Sequence, residues 1–412
     1  MIEQRNIICI ASNWFQDPTS KHHVMRILSR RNHIVWVNHH GSRRPRLSSA
    51  DAGAIAVRLR QVIEGPRHVT DAITVVTPLV IPLPGNAAAA VLNRRLLTRQ
   101  IRNVLRDLPR RPVQLWSFAP DVDYLCGQFD EECVVYYCVD EFSEFSGYDR
   151  NAILAAEQRL ADRTDLIITT SQALYESKRS LNRHVELVTH GVDYDHFAGA
   201  LSDDVSMPDD LAGLPKPILG FWGLIHDWVD FELLATLARA RPAWSIVLIG
   251  AVAVDRGTLS RLPNVHCLGR RAYADLPAYA HGFDVGLIPF RLNDLTRAVN
   301  PIKLREYLAA GLPVVSTALP EVRRYADWVH VAENPDQFVA ACDTAVRQAN
   351  PRKAAARRAA MRSETWESKV TEVARHLSRL QADATTRSPL RIASGQNRDR
   401  ERAALEPEPD VA

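Results

Sequence analysis

Within "TRAVNPIKLREYLAAGLPVVST", residues 296–317, three charged residues stand close to the start of a helix: Arg297, Lys303 and Glu306. Backbone N–H groups at a helix start, with two cations beside them, suit a diphosphate. A carboxylate one turn further in can accept hydrogen bonds from a pair of vicinal hydroxyls. Asn300 is an apt N-cap and Pro301 an apt first helical residue. Gly311 and Pro313 end the helix after about ten residues. Leu304, Tyr307 and Leu308 form its buried stripe, while Lys303 and Glu306 share a different face. The stretch alone equally fits a solvated helix carrying a surface Lys–Glu pair, so the surrounding elements must decide.

The chain has 412 residues, 46% apolar and 24% charged, with a net charge of +3. That composition predicts a globular protein of two or three domains. The charge is too small to argue for a nucleic-acid partner. The six cysteines (9, 126, 133, 138, 267 and 342) lack metal-ligand spacing. Most lie in or beside apolar runs such as "NIICI" and "CVVYYC", where cysteine acts as a small hydrophobe. "MIEQRN" leads straight into a strand-like run, unlike a secretory leader. No apolar segment approaches the roughly 20 residues of a membrane-spanning helix. A reducing, cytoplasmic setting is expected, with peripheral contact at the inner face of the membrane left open.

Short apolar runs alternate with helical patterns, the mark of βαβ units around parallel sheets. Strands are predicted at 6–12, 33–38, 72–78, 112–118, 133–140, 165–171 and 185–190. Helices are predicted at 20–31, 88–108, 151–162 and 172–181. The acidic, aperiodic segment 201–216 reads as a linker. The alternation then restarts, with strands at 217–223, 245–250, 265–269, 284–290 and 313–317. Helices follow at 231–240, 276–282, 301–310 and 336–348. The fold class expected is α/β: two Rossmann-like, doubly wound domains, 1–200 and 217–375, facing a cleft at the carboxyl ends of their strands. Residues 376–412 read as a disordered tail, although the amphipathic pattern "TWESKVTEVARHLSRL" continues to about residue 381.

With these elements in place, the stretch from "HCLGRRAYADLPAYAHGFDVGLIPF" through "RLNDLTRAVNPIKLREYLAAGLPVVST" resembles the donor-binding half of GT-B glycosyltransferases, particularly the retaining group 1 (family 4-like) enzymes. The match is motif-specific mainly over 264–325, where the family's "A-x-G-x-P-V-V" stands as "AAGLPVV". The resemblance implies a UDP- or GDP-sugar held by the second domain, with no cofactor and no metal. It makes Glu306 the ribose-binding carboxylate. Two departures accompany it. Ala298 occupies the place of an earlier glutamate that contacts the transferred sugar. After the domain's first strand, "GFWGLIHDWVD" offers His226, Asp227, Trp228 and Asp230 where the family has a diphosphate-binding Arg and Lys. Arg297 and Lys303 are then expected to supply the missing positive charge, together with backbone N–H groups around Gly223.

The first domain is expected to supply acceptor contacts and the residue facing the reacting sugar. Asp140 and Glu141 in "YYCVDEFSEF" stand at a strand's carboxyl end, and the resemblance places Asp140 near the transferred sugar. A plain capping role is the alternative for Asp140. After the first strand, Ser20 is expected to cap a helix whose first turn holds Lys21, His22 and His23, cations that oppose the helix dipole. His190 in "THGVD" is a cleft candidate whose alternative is packing. Asp140 and His190 are thus the catalytic candidates. Gly223, Arg297, Asn300, Lys303 and Glu306 are the donor-site candidates, and Lys21, His22, Glu141 and His226 the acceptor or cleft candidates.

The reaction expected is sugar transfer with retention, through an oxocarbenium-like transition state, to a glycan or lipid-linked acceptor. Segment 93–112 carries arginines at 94, 95, 99, 102, 106, 110 and 111 beside an apolar stripe. It fits peripheral contact with anionic lipid, or an ordinary surface helix. A non-catalytic sugar- or nucleotide-binding protein or scaffold on the same architecture is the alternative from another class. A nucleotide-sugar epimerase or hydrolase is the alternative among enzymes.

Overall fold

The computed structural model describes residues 2–39, 60, 62, 64–78, 87–202 and 205–387. Two sheets organise it. The first contains β1 (Asn6–Ala11), β2 (His33–Asn38), β3 (Arg67–Thr70), β4 (Ile73–Val76), β5 (Val113–Ser117), β6 (Cys133–Cys138), β7 (Leu166–Thr169) and β8 (Val185–Leu187). Its spatial order is β3-β4-β2-β1-β5-β6-β7-β8, parallel except for the antiparallel β3–β4 edge. The second contains β9 (Ile218–Trp222), β10 (Ser245–Ile249), β11 (Val265–Gly269), β12 (Val285–Ile288), β13 (Val314–Thr317) and β14 (Val329–Ala332). These run parallel in the order β11-β10-β9-β12-β13-β14.

The central strands are apolar without alternation because helices cover both sheet faces. Ile7, Ile8, Cys9 and Ile10 of β1 are fully buried, alternating between two cores on opposite faces of the first sheet. A third core fills the second domain. Strand order reverses between β1 and β5 in one sheet and between β9 and β12 in the other. Such reversals open a crevice at the strands' carboxyl ends.

The predicted strands are all present; β2 and β11 match their predicted bounds and the others are shortened at their ends. The edge strands β3 and β14 went unpredicted: β3, "RHVT", is exposed throughout, and exposed edges carry little apolar signal. Two expectations about chain organisation are corrected. The segment 201–216 is not a bare linker. It contains the helical turn Asp209–Ala212, whose Leu211 is fully buried in the core of the second domain, and Arg271 donates to Asp210 at 2.7 Å. The second domain also does not run to 375 with disorder from 376. A helix continues unbroken from Trp366 to Arg387, and its Trp366, Val370, Val373 and Leu377 join the core of the first domain. The amphipathic stripe was visible, but which domain it covers depends on the return of the chain. Residues 388–412 of the expected tail lie outside the described residues.

The returning chain passes beside the outgoing one. Val192 N–H donates to the Glu364 carbonyl at 2.8 Å, and a Cβ on Gly191 would lie 2.6 Å from the Trp366 nitrogen. Only a glycine lets the two strands of the crossing touch.

Candidate functional site

A cavity of about 360 Å³ lies between the domains, at the carboxyl ends of both sheets. The first domain contributes Ser20 and Lys21 from the helix after β1, Asp140 and Phe145 after β6, and His190 after β8. The second contributes Leu224 and Trp228 after β9, and Phe290, Leu295, Thr296 and the run Val299–Lys303 after β12. The strand–helix units thus bring together Lys21, Asp140, His190, Asn300 and Lys303, five of the residues anticipated from sequence. Both reversal points feed this one space.

Lys21 and Asp140 form its charged centre. Burial pushes the Asp140 carboxyl up to about 6; Lys21 opposes that shift and Glu141 adds to it. Burial lowers the Lys21 ammonium, opposed by Asp140 and Cys9. His190 is 4% exposed, and its Nδ1 has no partner among the described residues. Burial first, then Arg305 and Lys369, press its pKa down to about 3, so the imidazole is neutral at ordinary pH.

Lys303 projects from the helix Ile302–Ala309 with Nζ 4.8 Å from the Phe290 ring centroid and 5.2 Å from that of Phe221. These cation–π contacts steady it in a poorly solvated place. Its Cε would lie 3.3 Å from a Cβ on Gly223, so the turn after β9 must be open for it to reach the crevice. Glu306 is buried and lies outside the cavity's lining; its Oε2 accepts from Trp222 Nε1 at 2.7 Å. Burial raises the Glu306 carboxyl and lowers the Lys303 ammonium, each partly offset by the other.

Several expectations need correction. Asn300 is not the N-cap; Pro301 takes that position, and the helix begins at Ile302. Asn300 is instead 2% exposed and bridges the domains, donating from Nδ2 to the Thr170 carbonyl. Arg297 lies on the short helix Asp294–Ala298, exposed and outside the cavity lining, because the buried side of that helix is taken by Thr296 and Ala298. It does not replace the family's missing cations in this arrangement. The Gly223 N–H donates to the Ile249 carbonyl at 2.9 Å and is not free for an anion.

Thr19, not Ser20, caps the helix Ser20–Leu28, and His22 completes a capping box. His22 is turned inward: its Nδ1 accepts from the Thr19 N–H at 3.1 Å, and Nε2 lies 3.2 Å from the Trp14 carbonyl. Burial, reinforced by Lys21 and Arg26, lowers its pKa to about 3. Glu141 is engaged away from the cavity. Lys178 Nζ sits 2.8 Å from both Glu141 and Glu157, and Ser143 donates to Glu141 at 2.9 Å. His226 pairs with Asp227 at 2.5 Å and stacks on Trp228 at 4.3 Å, so its ring backs the cavity wall without lining it.

Sequence reading missed the residues that shape the site from behind. Trp222 ends β9 and anchors both Glu306 and the Tyr307 hydroxyl, to which its own N–H donates at 3.1 Å. Ser171 caps the helix Gln172–Lys178 and also donates to the Ala298 carbonyl at 2.6 Å. Cap chemistry signals Ser171 in sequence, but nothing in sequence signals its second partner. Ala298 itself is 7% exposed, its methyl packed into a first-domain core. A longer acidic side chain there would meet apolar neighbours. Among the described residues, no group of three or more His, Cys, Asp or Glu is placed to hold a metal ion. No helix among them is long and apolar enough to cross a membrane.

Residues 216–348 match the family model of glycosyl transferases group 1. The chain is 31% identical over 255 residues to the putative teichuronic acid biosynthesis glycosyltransferase TuaH of Bacillus subtilis, covering 57% of this chain and 64% of that protein. It therefore spans somewhat less than two thirds of that relative's length. Solved structures share the fold at low identity. Sucrose-phosphate synthase of Thermosynechococcus elongatus superposes with a TM-score of 0.65 at 12% identity, covering 92% of this chain and all of that one. The lipopolysaccharide glycosyltransferase WaaG gives 0.61 at 15%, over 89% and 98%. Anabaena HepE in complex with UDP and glucose gives 0.62 at 13%, over 90% and 99%.

Proposed function

We propose that this chain, whose residues 216–348 match the family model of glycosyl transferases group 1, belongs to that family and transfers a sugar from a UDP- or GDP-linked donor to a glycan or lipid-linked acceptor, with retention at the anomeric carbon. The observation that carries this reading is the convergence of Lys303, Asp140 and His190 on one inter-domain cavity. That HepE was solved with UDP and glucose on the same fold supports a nucleotide-sugar donor.

In this reading the bond from the anomeric carbon to the donor's phosphate oxygen breaks, and the acceptor hydroxyl oxygen forms the new glycosidic bond. The acceptor proton passes to the departing phosphate oxygen. Lys303 and the first free N–H groups of its helix stabilise the charge left on the diphosphate. Ionised Asp140 stabilises the positive charge developing at the anomeric centre, and the nearby Lys21 ammonium favours that ionised form. Neutral His190 offers a hydrogen bond without adding a charge. Glu306, held by Trp222, is the ribose partner.

A nucleotide panel by thermal shift tests the donor site, with wild type beside Glu306→Ala and Lys303→Ala. UDP or GDP should raise the melting temperature, and both substitutions should weaken the effect. A wild type indifferent to every nucleotide would refute the donor reading. Ala298 keeps a second reading open, a non-catalytic nucleotide-sugar binder. Nucleotide binding with no nucleotide release from any donor, across glycan and lipid-linked acceptors, would favour it.

A further inference from the structure

The helix Ala87–Asp107 carries a site that the donor reading does not use. Arg95, Arg99, Arg102 and Arg106 recur at intervals of four, three and four residues, so they form one row along its surface. The row covers about 16 Å at 1.5 Å per residue. Arg94 stands beside it, and all five are exposed. With Gln128, from the connection between β5 and β6, they enclose a groove of about 380 Å³ that shares no residue with the inter-domain cavity.

Two of the arginines build the wall. Arg102 donates from Nε and Nη2 to the Gln128 carbonyl at 3.2 and 2.7 Å, and Arg106 bonds to Asn103. Arg94, Arg95 and Arg99 have no acceptor among the described residues. Asp107 is the only acid in the helix. Beneath the guanidinium groups lies Thr98, 6% exposed, whose Oγ1 is buried without a hydrogen-bond partner among the described residues. A buried hydroxyl left unpaired costs about 1–3 kcal/mol, which an incoming oxygen would relieve.

We propose that this groove binds a linear anionic glycan, a chain of carboxylate- or phosphate-bearing sugars, and holds the outlying part of the acceptor. Guanidinium forks match such groups in a bidentate way, and a row of them suits charges repeated along a strand. The polarity of the helix sets the direction. Its Asp107 end leads into the start of β5, so its Ala87 end lies toward the strands' carboxyl ends, where the inter-domain cavity opens. The recessed Thr98 favours a single chain over a bilayer, whose headgroups would stop at the guanidinium tips. Val91 and Leu92, exposed at the cleft end, are what a bilayer would use, and it is therefore the competing occupant. The acceptor role rests on the proposed transferase activity; the binding itself does not.

Calorimetry with oligogalacturonate and no donor tests the groove. Wild type should bind it, more weakly as salt screens the charges, and should not bind neutral malto-oligosaccharide. Arg95→Glu with Arg99→Glu should weaken binding at least about tenfold through lost charge-assisted contacts. Thr98→Val should weaken it less and, freed of the unpaired hydroxyl, melt no lower than wild type; UDP affinity should hold in both variants. Absence of binding, or binding indifferent to the charge reversal, would overturn the proposal. So would binding to phosphatidylcholine–phosphatidylglycerol vesicles that charge reversal abolishes, with no affinity for oligogalacturonate. If oligogalacturonate binds but no nucleotide does, the groove stands and the donor reading falls.

Discussion

Asn300 Nδ2 donates to the carbonyl oxygen of Thr170 at 2.7 Å, across the junction between the two domains. Its Oδ1 accepts from Arg305 Nη1 at 2.8 Å, inside a helix whose Arg305 side chain is fully buried. Two further bonds cross nearby, from the Ser171 hydroxyl to the Ala298 carbonyl and from the Gln172 N–H to Glu321 at 2.8 Å. The segment leading into the helix that carries Lys303 is therefore fixed to the domain carrying Asp140.

Replacing Asn300 by Ala leaves the Thr170 carbonyl and one Arg305 donor unpaired in a buried place. A loss of about 1–3 kcal/mol in stability is expected, measured by denaturant unfolding. Asn300→Asp, which keeps the Arg305 contact but not the donor, should fall between wild type and Ala. Equal stability of all three would mean that the bridge contributes nothing.

Asp140 gives a pH signature. Its pKa is 3.8 in the unfolded chain and about 6 in the fold, so the folded state holds more protons between those values. The penalty for burying the charge thus appears as pH rises from about 4 to about 6 and persists above. Asp140→Asn should be more stable than wild type by about 1–3 kcal/mol at pH 8, and nearly equal to it at pH 4. The same variant should lose transfer activity. A variant less stable at pH 8 would show that Asp140 is held by pairing rather than strained by burial.

His22, His23 and His190 act in the opposite direction. Burial lowers each to about 3. The unfolded chain then binds more protons between pH 6.5 and 3, and stability falls as pH drops through that window. His23 stacks on Trp366 with ring centroids 5.2 Å apart and planes 3° from parallel. His23→Phe keeps the stack and should flatten the decline in melting temperature between pH 7 and 5. An unchanged slope would remove His23 from the account.

Gly250 tests the Gly223 turn without touching a charged residue. Its φ is +144°, and a Cβ would lie 1.9 Å from the Gly223 carbonyl oxygen. Gly250→Ala must displace the Gly223 turn, at about 2–3 kcal/mol, and should weaken nucleotide binding because Lys303 packs on that turn. Wild-type nucleotide affinity in a folded Gly250→Ala would separate the turn from the donor site.

The amino-acid sequence by itself determined the two sheets, the helices between them and the cleft. Those follow from apolar runs, helical periods and cap residues, all short-range signals that survive without a partner. It also placed Lys21, Asp140, His190 and Lys303 at the strands' carboxyl ends, because in doubly wound sheets that edge is set by connectivity. Only the tertiary structure decided which way neighbouring side chains turn. Glu141 and Asp140 are adjacent in sequence, yet one is held by Lys178 and the other faces the cavity. Asn300 reads as a cap and serves as a bridge, since Thr170 reaches it from 130 residues away. Arg297 and Lys303 look equivalent on one stretch, but the break between two helices at 299–301 points the first to solvent and leaves the second over Phe290. The same holds for the helix Trp366–Arg387, whose stripe is written locally while the core it completes lies in the domain where the chain began. Local pattern fixes an element and its faces; the contacts that select a partner for each face come from residues far away in the chain.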